Sequence, residues 1–225
     1  MAAAKNNCLI VTIGSTKGGA GKSTIASNLA VAAGVRGMKV LLVDADTQAS
    51  SMSFRALRED GLIQAIAITT PTLHQDVPGL AENYALVLID TGGRDSRVFR
   101  SAIGAADLLI VPVLPSVYDV WAAGDTLDLV REVHSFGIQT PTRLLLNQVI
   151  AGTVMGREAD EALAEHSDIA PVMEARIHHR QIFKNAATTG KGVVEVEPKG
   201  KAAAEIEALL SEILAINEIN MAKAQ

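Results

Sequence analysis

Two lysines five positions apart frame a glycine run, Lys17-Gly18-Gly19-Ala20-Gly21-Lys22, and two hydroxyls follow, Ser23 and Thr24. Glycines let successive backbone N–H groups turn toward closely spaced phosphate oxygens without a side chain between them. Lys22 then supplies a point charge for the outer phosphates. Ser23 offers a hydroxyl to a magnesium ion, and a helix starting here would aim its positive end at the same anion. The common pattern G-x-x-x-x-G-K-[ST] is nevertheless broken, because Thr16 stands where its first glycine belongs. Lys17 is a second cation that one bound nucleotide does not require.

Two further clusters carry carboxylates, Asp44-Ala45-Asp46-Thr47-Gln48 and Asp90-Thr91-Gly92-Gly93. Each follows an apolar run without alternation, Val40 to Val43 and Leu86 to Ile89, as strands buried on both faces should. In open α/β sheets ligands sit beyond the carboxyl ends of the strands, so Asp44 and Asp90 should emerge on the edge that carries the glycine loop. Asp46 serves equally well as a turn or helix-cap residue.

The elements that must hold these groups read as a βαβ rhythm. Strands are expected at residues 9–13, 39–43, 66–69, 85–89, 108–113 and 143–146, with helices at 22–35, 117–134 and 202–219. This predicts one α/β domain over 1–225, with a mostly parallel central sheet flanked by helices in three layers. A chain of 225 residues with 48% hydrophobic content can fill one such core, and two independent domains would be cramped. The last helix has Ile206, Leu209, Leu210, Ile213 and Ile216 at helical spacing, a stripe suited to packing on a sheet. Its polar positions include Glu205, Glu207, Glu212 and Glu218, the wrong sign for a membrane-surface helix.

Composition narrows the partners. The single cysteine, Cys8, excludes a disulfide framework and suits a reducing cytosol, where it is expected as a small buried residue. No apolar run approaches the roughly 18 residues needed to span a bilayer, and the first seven residues lack the apolar core of a signal peptide, so a cytoplasmic protein is expected. Net charge is −5, which leaves nucleic-acid contact only to a local patch. One candidate has Arg176, Arg180, Lys184, Lys191, Lys199 and Lys201 against Glu195 and Glu197, though a solvated face has the same composition.

The loop x-K-G-G-x-G-K-[ST] resembles the deviant Walker A loop of the ParA/MinD family of ATPases. Motif order, the P-S-x-x-D-x-x-A-A-G run from Pro115 to Gly124, and the stretch from Arg180 to Lys201 extend that resemblance over nearly the whole chain, toward small plasmid-partition proteins. It implies ATP and Mg²⁺ as cofactors, bound by Gly18, Gly19, Ala20, Gly21, Lys22, Ser23 and Thr24. By the same resemblance Asp44 and Asp90 hold waters of the magnesium shell, Asp46 orients the attacking water, and Gly93 is a switch near the γ-phosphate. Lys17 would cross to the nucleotide of a partner subunit in an ATP-bound homodimer, a contribution worth roughly 10³ to 10⁵ in rate where other nucleotide hydrolases receive a cation in trans.

Prolines fix a loop after the fifth strand, and the resemblance places this loop, with Pro112, and Asn147 around the adenine; a turn asparagine is the other reading of Asn147. Trp121 and Tyr118 are too sparse for a base-stacking platform and suit a core or an interface. The resemblance also implies non-specific DNA binding by the ATP dimer, with Arg180, Lys184, Lys191, Lys199 and Lys201 as candidate contacts, and a nucleoid-associated location. A winged helix-turn-helix does not fit in the eight residues before the first strand, so a separate centromere-binding ParB-like protein is expected to recognise sequence and stimulate hydrolysis. DNA partition is the expected task. A positioner of protein cargo with its own adaptor has identical chemistry, and an ATP-dependent synthetase of the dethiobiotin type is the more distant reading. A membrane ATPase lacks its basic tail here, an iron-protein relative its cysteines, and a tyrosine autokinase its tyrosine cluster.

Overall fold

The computed structural model describes residues 8–93 and 96–223, so the first seven residues, read above for a leader, lie outside it. Six strands form one sheet: β1 (Leu9–Ile13), β2 (Val40–Ala45), β3 (Gln64–Ala67), β4 (Leu86–Thr91), β5 (Leu108–Val113) and β6 (Thr142–Leu146). Their order is β3-β2-β4-β1-β5-β6, and every pairing is parallel, where the sequence reading allowed for some antiparallel content. β3 falls two residues earlier than expected. It is a four-residue edge strand, partly exposed and without the apolar run that marks its neighbours.

Nine helices lie among the described residues: α1 (Lys22–Val35), α2 (Ser50–Ala56), α3 (Leu73–Ala81), α4 (Ser96–Ala105), α5 (Val117–Ser135), α6 (Val154–Ala164), α7 (Gln181–Ala187), α8 (Val193–Val196) and α9 (Lys201–Lys223). Alternate residues of the central strands feed two faces. Val11, Ile13, Leu86 and Leu88 pack with α1 and α9, while Ile10, Val87 and Ile89 pack with α3 and α4. A third cluster joins β5 and β6 to α5 and α6. The three-layer arrangement follows because both faces of a parallel sheet need cover.

α1 is buried from Ile25 to Gly34, which explains its apolar residues on every side: the sheet covers one flank and α9 another. Asn28 inside it accepts the Val193 N–H at 2.9 Å and ties α8 to the same helix. β2 extends through Asp44, and its register sets Asp44 directly opposite Asp90 on β4. Pro112 sits in β5 beyond Ile110, where the β1 ladder ends, so its missing N–H removes no bond between strands.

Candidate functional site

The loop between β1 and α1 folds as a cradle because two of its glycines take left-handed backbone, Gly19 at φ 82° and Gly21 at φ 85°. At Gly21 a side chain is excluded twice over, since a Cβ would lie 2.3 Å from Asn147 Nδ2. That amide donates to the Ala20 carbonyl at 2.7 Å, so Asn147, at the end of β6, props the loop from behind. Gly93 approaches from the other side. A Cβ on it would lie 2.9 Å from the Lys17 carbonyl carbon and 3.0 Å from the Gly18 nitrogen, so the turn after β4 rests on the loop backbone.

Gly18, Gly19, Gly21, Lys22, Ser23, Thr24, Asp46 and Gly93 surround one open cavity of about 410 Å³, bringing together most of the residues expected around the phosphates. Ala20 is buried and does not line it. Lys22 is buried, and its ammonium donates to the Lys17 carbonyl at 2.7 Å. Burial holds its pKa below the usual lysine range despite the nearby carboxylates of Asp90 and Asp46. An anion in the cavity would restore the charge partner that burial takes away.

Asp44 and Asp90 are both wholly buried. Asp44 accepts the N–H groups of Asp46 at 3.1 Å and Met52 at 2.8 Å, while Asp90 Oδ2 accepts the Ser51 hydroxyl at 2.7 Å. Asp90 Oδ1 has no hydrogen-bond partner. Burial pushes the Asp90 carboxyl up to about 6, against the lowering effect of the Ser51 and Ser23 hydroxyls, and burial raises Asp44 as well. A buried orphan oxygen beside a second carboxylate and the Ser23 hydroxyl fits a hydrated Mg²⁺, whose charge would favour both ionised forms. Asp46 has the turn role, its carboxylate accepting the Gln48 N–H at 3.0 Å, and it also lines the cavity.

Lys17 does not face that cavity. Its ammonium pairs with Asp119 at 2.7 Å, on the first turn of α5, beside a small recess lined by Ala20, Pro112 and Thr126. Pro112 lines this recess with Lys17 and not the phosphate cavity, while its neighbour Val113 accepts the Asn147 N–H at 2.9 Å. Asn147 and Gln148 line a separate groove of about 80 Å³ that shares Gly21, Thr24 and Gln148 with the phosphate cavity.

The basic patch is divided. Arg180 is spent on Glu205 at 2.5 Å and Arg176 on Asp160 at 2.6 Å, while Glu195 pairs with Arg58 at 2.8 Å rather than balancing the patch. Lys184, Lys191, Lys199 and Lys201 are exposed. Trp121 and Tyr118 are 67% and 74% exposed and meet edge to face at 5.7 Å, which rules out a core role for either. Cys8 is half-buried and packs beside the α3 and α4 cluster. Ser51 and the pairing role of Asp119 escaped sequence reading. Asp119 belongs to the run from Pro115 to Gly124, but nothing in its spacing reveals Lys17, far upstream in the chain.

The CobQ/CobB/MinD/ParA nucleotide binding domain matches residues 11–194. The chain belongs to this family. It is a P-loop ATPase of the ParA/MinD type, with ATP and Mg²⁺ as cofactors. The maintenance of carboxysome distribution protein A of Halothiobacillus neapolitanus is 26% identical over 94% of this chain and 99% of its own length. Its counterpart in Gloeobacter kilaueensis is 32% identical over 88% and 89%. Among solved structures, the ATP complex of a single-residue variant of the Cyanothece protein McdA superimposes with a TM-score of 0.74 at 18% identity, covering 93% of this chain and 97% of that one. Among the described residues no helix is long and apolar enough to cross a membrane.

Proposed function

We propose that this ATPase positions a protein cargo along DNA, forming an ATP-bound sandwich dimer that binds duplex without sequence preference and lets go when a cargo-bound adaptor stimulates hydrolysis. The observation that carries the reading is the separation of the two loop lysines. Lys22 lines the phosphate cavity, whereas Lys17 is 38% exposed and directed to Asp119 outside it. A cation outside its own cavity is suited to the phosphates of a facing subunit, where positioning and charge do nearly all the work of phosphoryl transfer. The assignments of Ser23, Asp44 and Asp90 to hydrated magnesium, of Asp46 to the attacking water and of Gly93 to the γ-phosphate switch belong to this same reading.

Plasmid or chromosome partition uses the same cycle and differs only in the adaptor and load. The near full-length match to proteins named for carboxysome distribution favours protein cargo over partition. Of the DNA contacts, Lys184, Lys191, Lys199 and Lys201 remain available, whereas Arg180 would first have to leave Glu205.

Binding of random-sequence duplex with ATP, with ADP and without nucleotide tests the cycle. Only the ATP state should bind, and affinity should fall steeply with salt, as expected when phosphate contacts release counterions. Binding that ignores nucleotide or salt contradicts the proposal. Hydrolysis without DNA binding in any state brings the synthetase reading forward.

A further inference from the structure

A carboxylate on the far C-terminal helix bonds two residues in the wall of the groove beside the phosphate cavity. Glu205 of α9 is largely buried, with 14% of its side chain exposed. It accepts the His178 backbone N–H at 3.1 Å, contacts His178 Nδ1 at 2.9 Å, and accepts the Arg180 guanidinium from Nε at 3.1 Å and from the terminal nitrogen at 2.5 Å. His178 and Arg180 are both in the groove wall.

The same segment runs alongside the turn after β6. Ile177 donates to the Leu146 carbonyl at 3.1 Å, Val149 donates to the Ile177 carbonyl at 3.0 Å, and His179 donates back to Val149 at 2.9 Å. That turn contains Asn147, which braces Ala20 of the phosphate loop, and Gln148, held at φ 55°. A continuous set of hydrogen bonds therefore leads from α9 through both walls of the groove to the loop.

We infer that Glu205 is the positioning residue for the base and ribose of the bound adenine nucleotide, acting through His178 and Arg180. This rests on reading the groove as the base side of the nucleotide site, which its shared residues Gly21, Thr24 and Gln148 support. Burial would raise the Glu205 carboxyl, but the Arg180 hydrogen bonds, the His178 backbone N–H and the charge of Arg180 together outweigh it and hold the group below the usual glutamate range. An ionised acceptor with three donors around it fixes the wall in one position before ligand arrives, so little ordering cost is left for binding.

The test compares Mg·ADP with pyrophosphate, which occupies the phosphate cavity but not the groove, on wild type, Glu205→Gln and Glu207→Gln. Glu207 lies on the same helix and pairs with Arg36 at 2.8 Å, outside the groove, so its variant reports general loosening of α9. Calorimetry should show Glu205→Gln weakening ADP about tenfold, the size expected for a lost charged acceptor. Pyrophosphate affinity should stay unchanged, and Glu207→Gln should bind both ligands as wild type does. Amide exchange at residues 177–180 should also quicken in ligand-free Glu205→Gln. Unchanged ADP affinity in that variant, or equal weakening of ADP and pyrophosphate, overturns the assignment of Glu205. If wild type binds ADP no tighter than pyrophosphate, the groove is not the base site and the premise itself fails.

Discussion

Asp90 shows how one side chain can link ion binding to pH. Its folded pKa of about 6 lies above the ordinary aspartate value near 3.8, so the ligand-free fold binds more protons than the unfolded chain between those values. The sign follows from linkage: this contribution to stability is present at low pH and is lost as pH rises through about 6. Asp44, also raised, adds in the same direction. Magnesium reverses the preference because it needs the ionised carboxylates. Affinity for Mg·ADP should therefore climb between about pH 5 and about pH 7 and level off above. Titration calorimetry across that range checks it, and Asp90→Asn should flatten the curve; a flat wild-type profile contradicts the account. The loop lysines and both aspartates were legible in the sequence because their spacing is local. The orphan oxygen of Asp90 was not, since it depends on Ser51 bonding only one of two carboxylate oxygens.

At the scale of elements, the ion pairs that divide the basic patch also hold the C-terminal helices in place. Arg58, in the turn after α2, has a side chain only 2% exposed and is shared among Glu195, Asp60 and the Gly190 carbonyl. Burial would raise the Glu195 carboxyl, but the Arg58 hydrogen bond, the Gly192 N–H and the Arg58 charge together hold it below the usual range. Arg58→Met should cost about 2 kcal/mol, because it leaves the partly buried Glu195 and the Gly190 carbonyl without their charged donor. A urea melt measures this, and an unchanged midpoint contradicts it. Apart from the short edge strand β3, which has no apolar run, the strands and the helices α1, α5 and α9 could be read from apolar runs and helical periodicity. The acidic face of α9 could not. A sequence shows Glu205, Glu207 and Glu212 as a polar stripe, whereas the fold gives each a separate set of donors: His178 with Arg180, Arg36, and the backbone of Glu174 and Ala175. Long-range pairs like these depend on loop paths that periodicity does not encode.

For the whole molecule, the sheet order places both lysine-bearing loop and aspartates at one edge, with β1 between β4 and β5 and Asp44 and Asp90 in register. That edge is also where the exposed pair Tyr118 and Trp121 lies, one turn of α5 around Asp119. In the proposed dimer Lys17 exchanges Asp119 for a phosphate of the facing subunit, and each site is complete only when two chains meet. Mixing two damaged proteins tests this most directly. Lys17→Ala retains its own cavity and Asp46 but has no lysine to donate; Asp46→Asn can donate Lys17 but does not orient water. Each alone should hydrolyse ATP poorly, and an equimolar mixture should regain hydrolysis, because the Lys17→Ala site receives its missing cation from the other chain. Two inactive proteins that stay inactive when mixed, or a Lys17→Ala variant with normal turnover, would contradict a lysine that works across the interface.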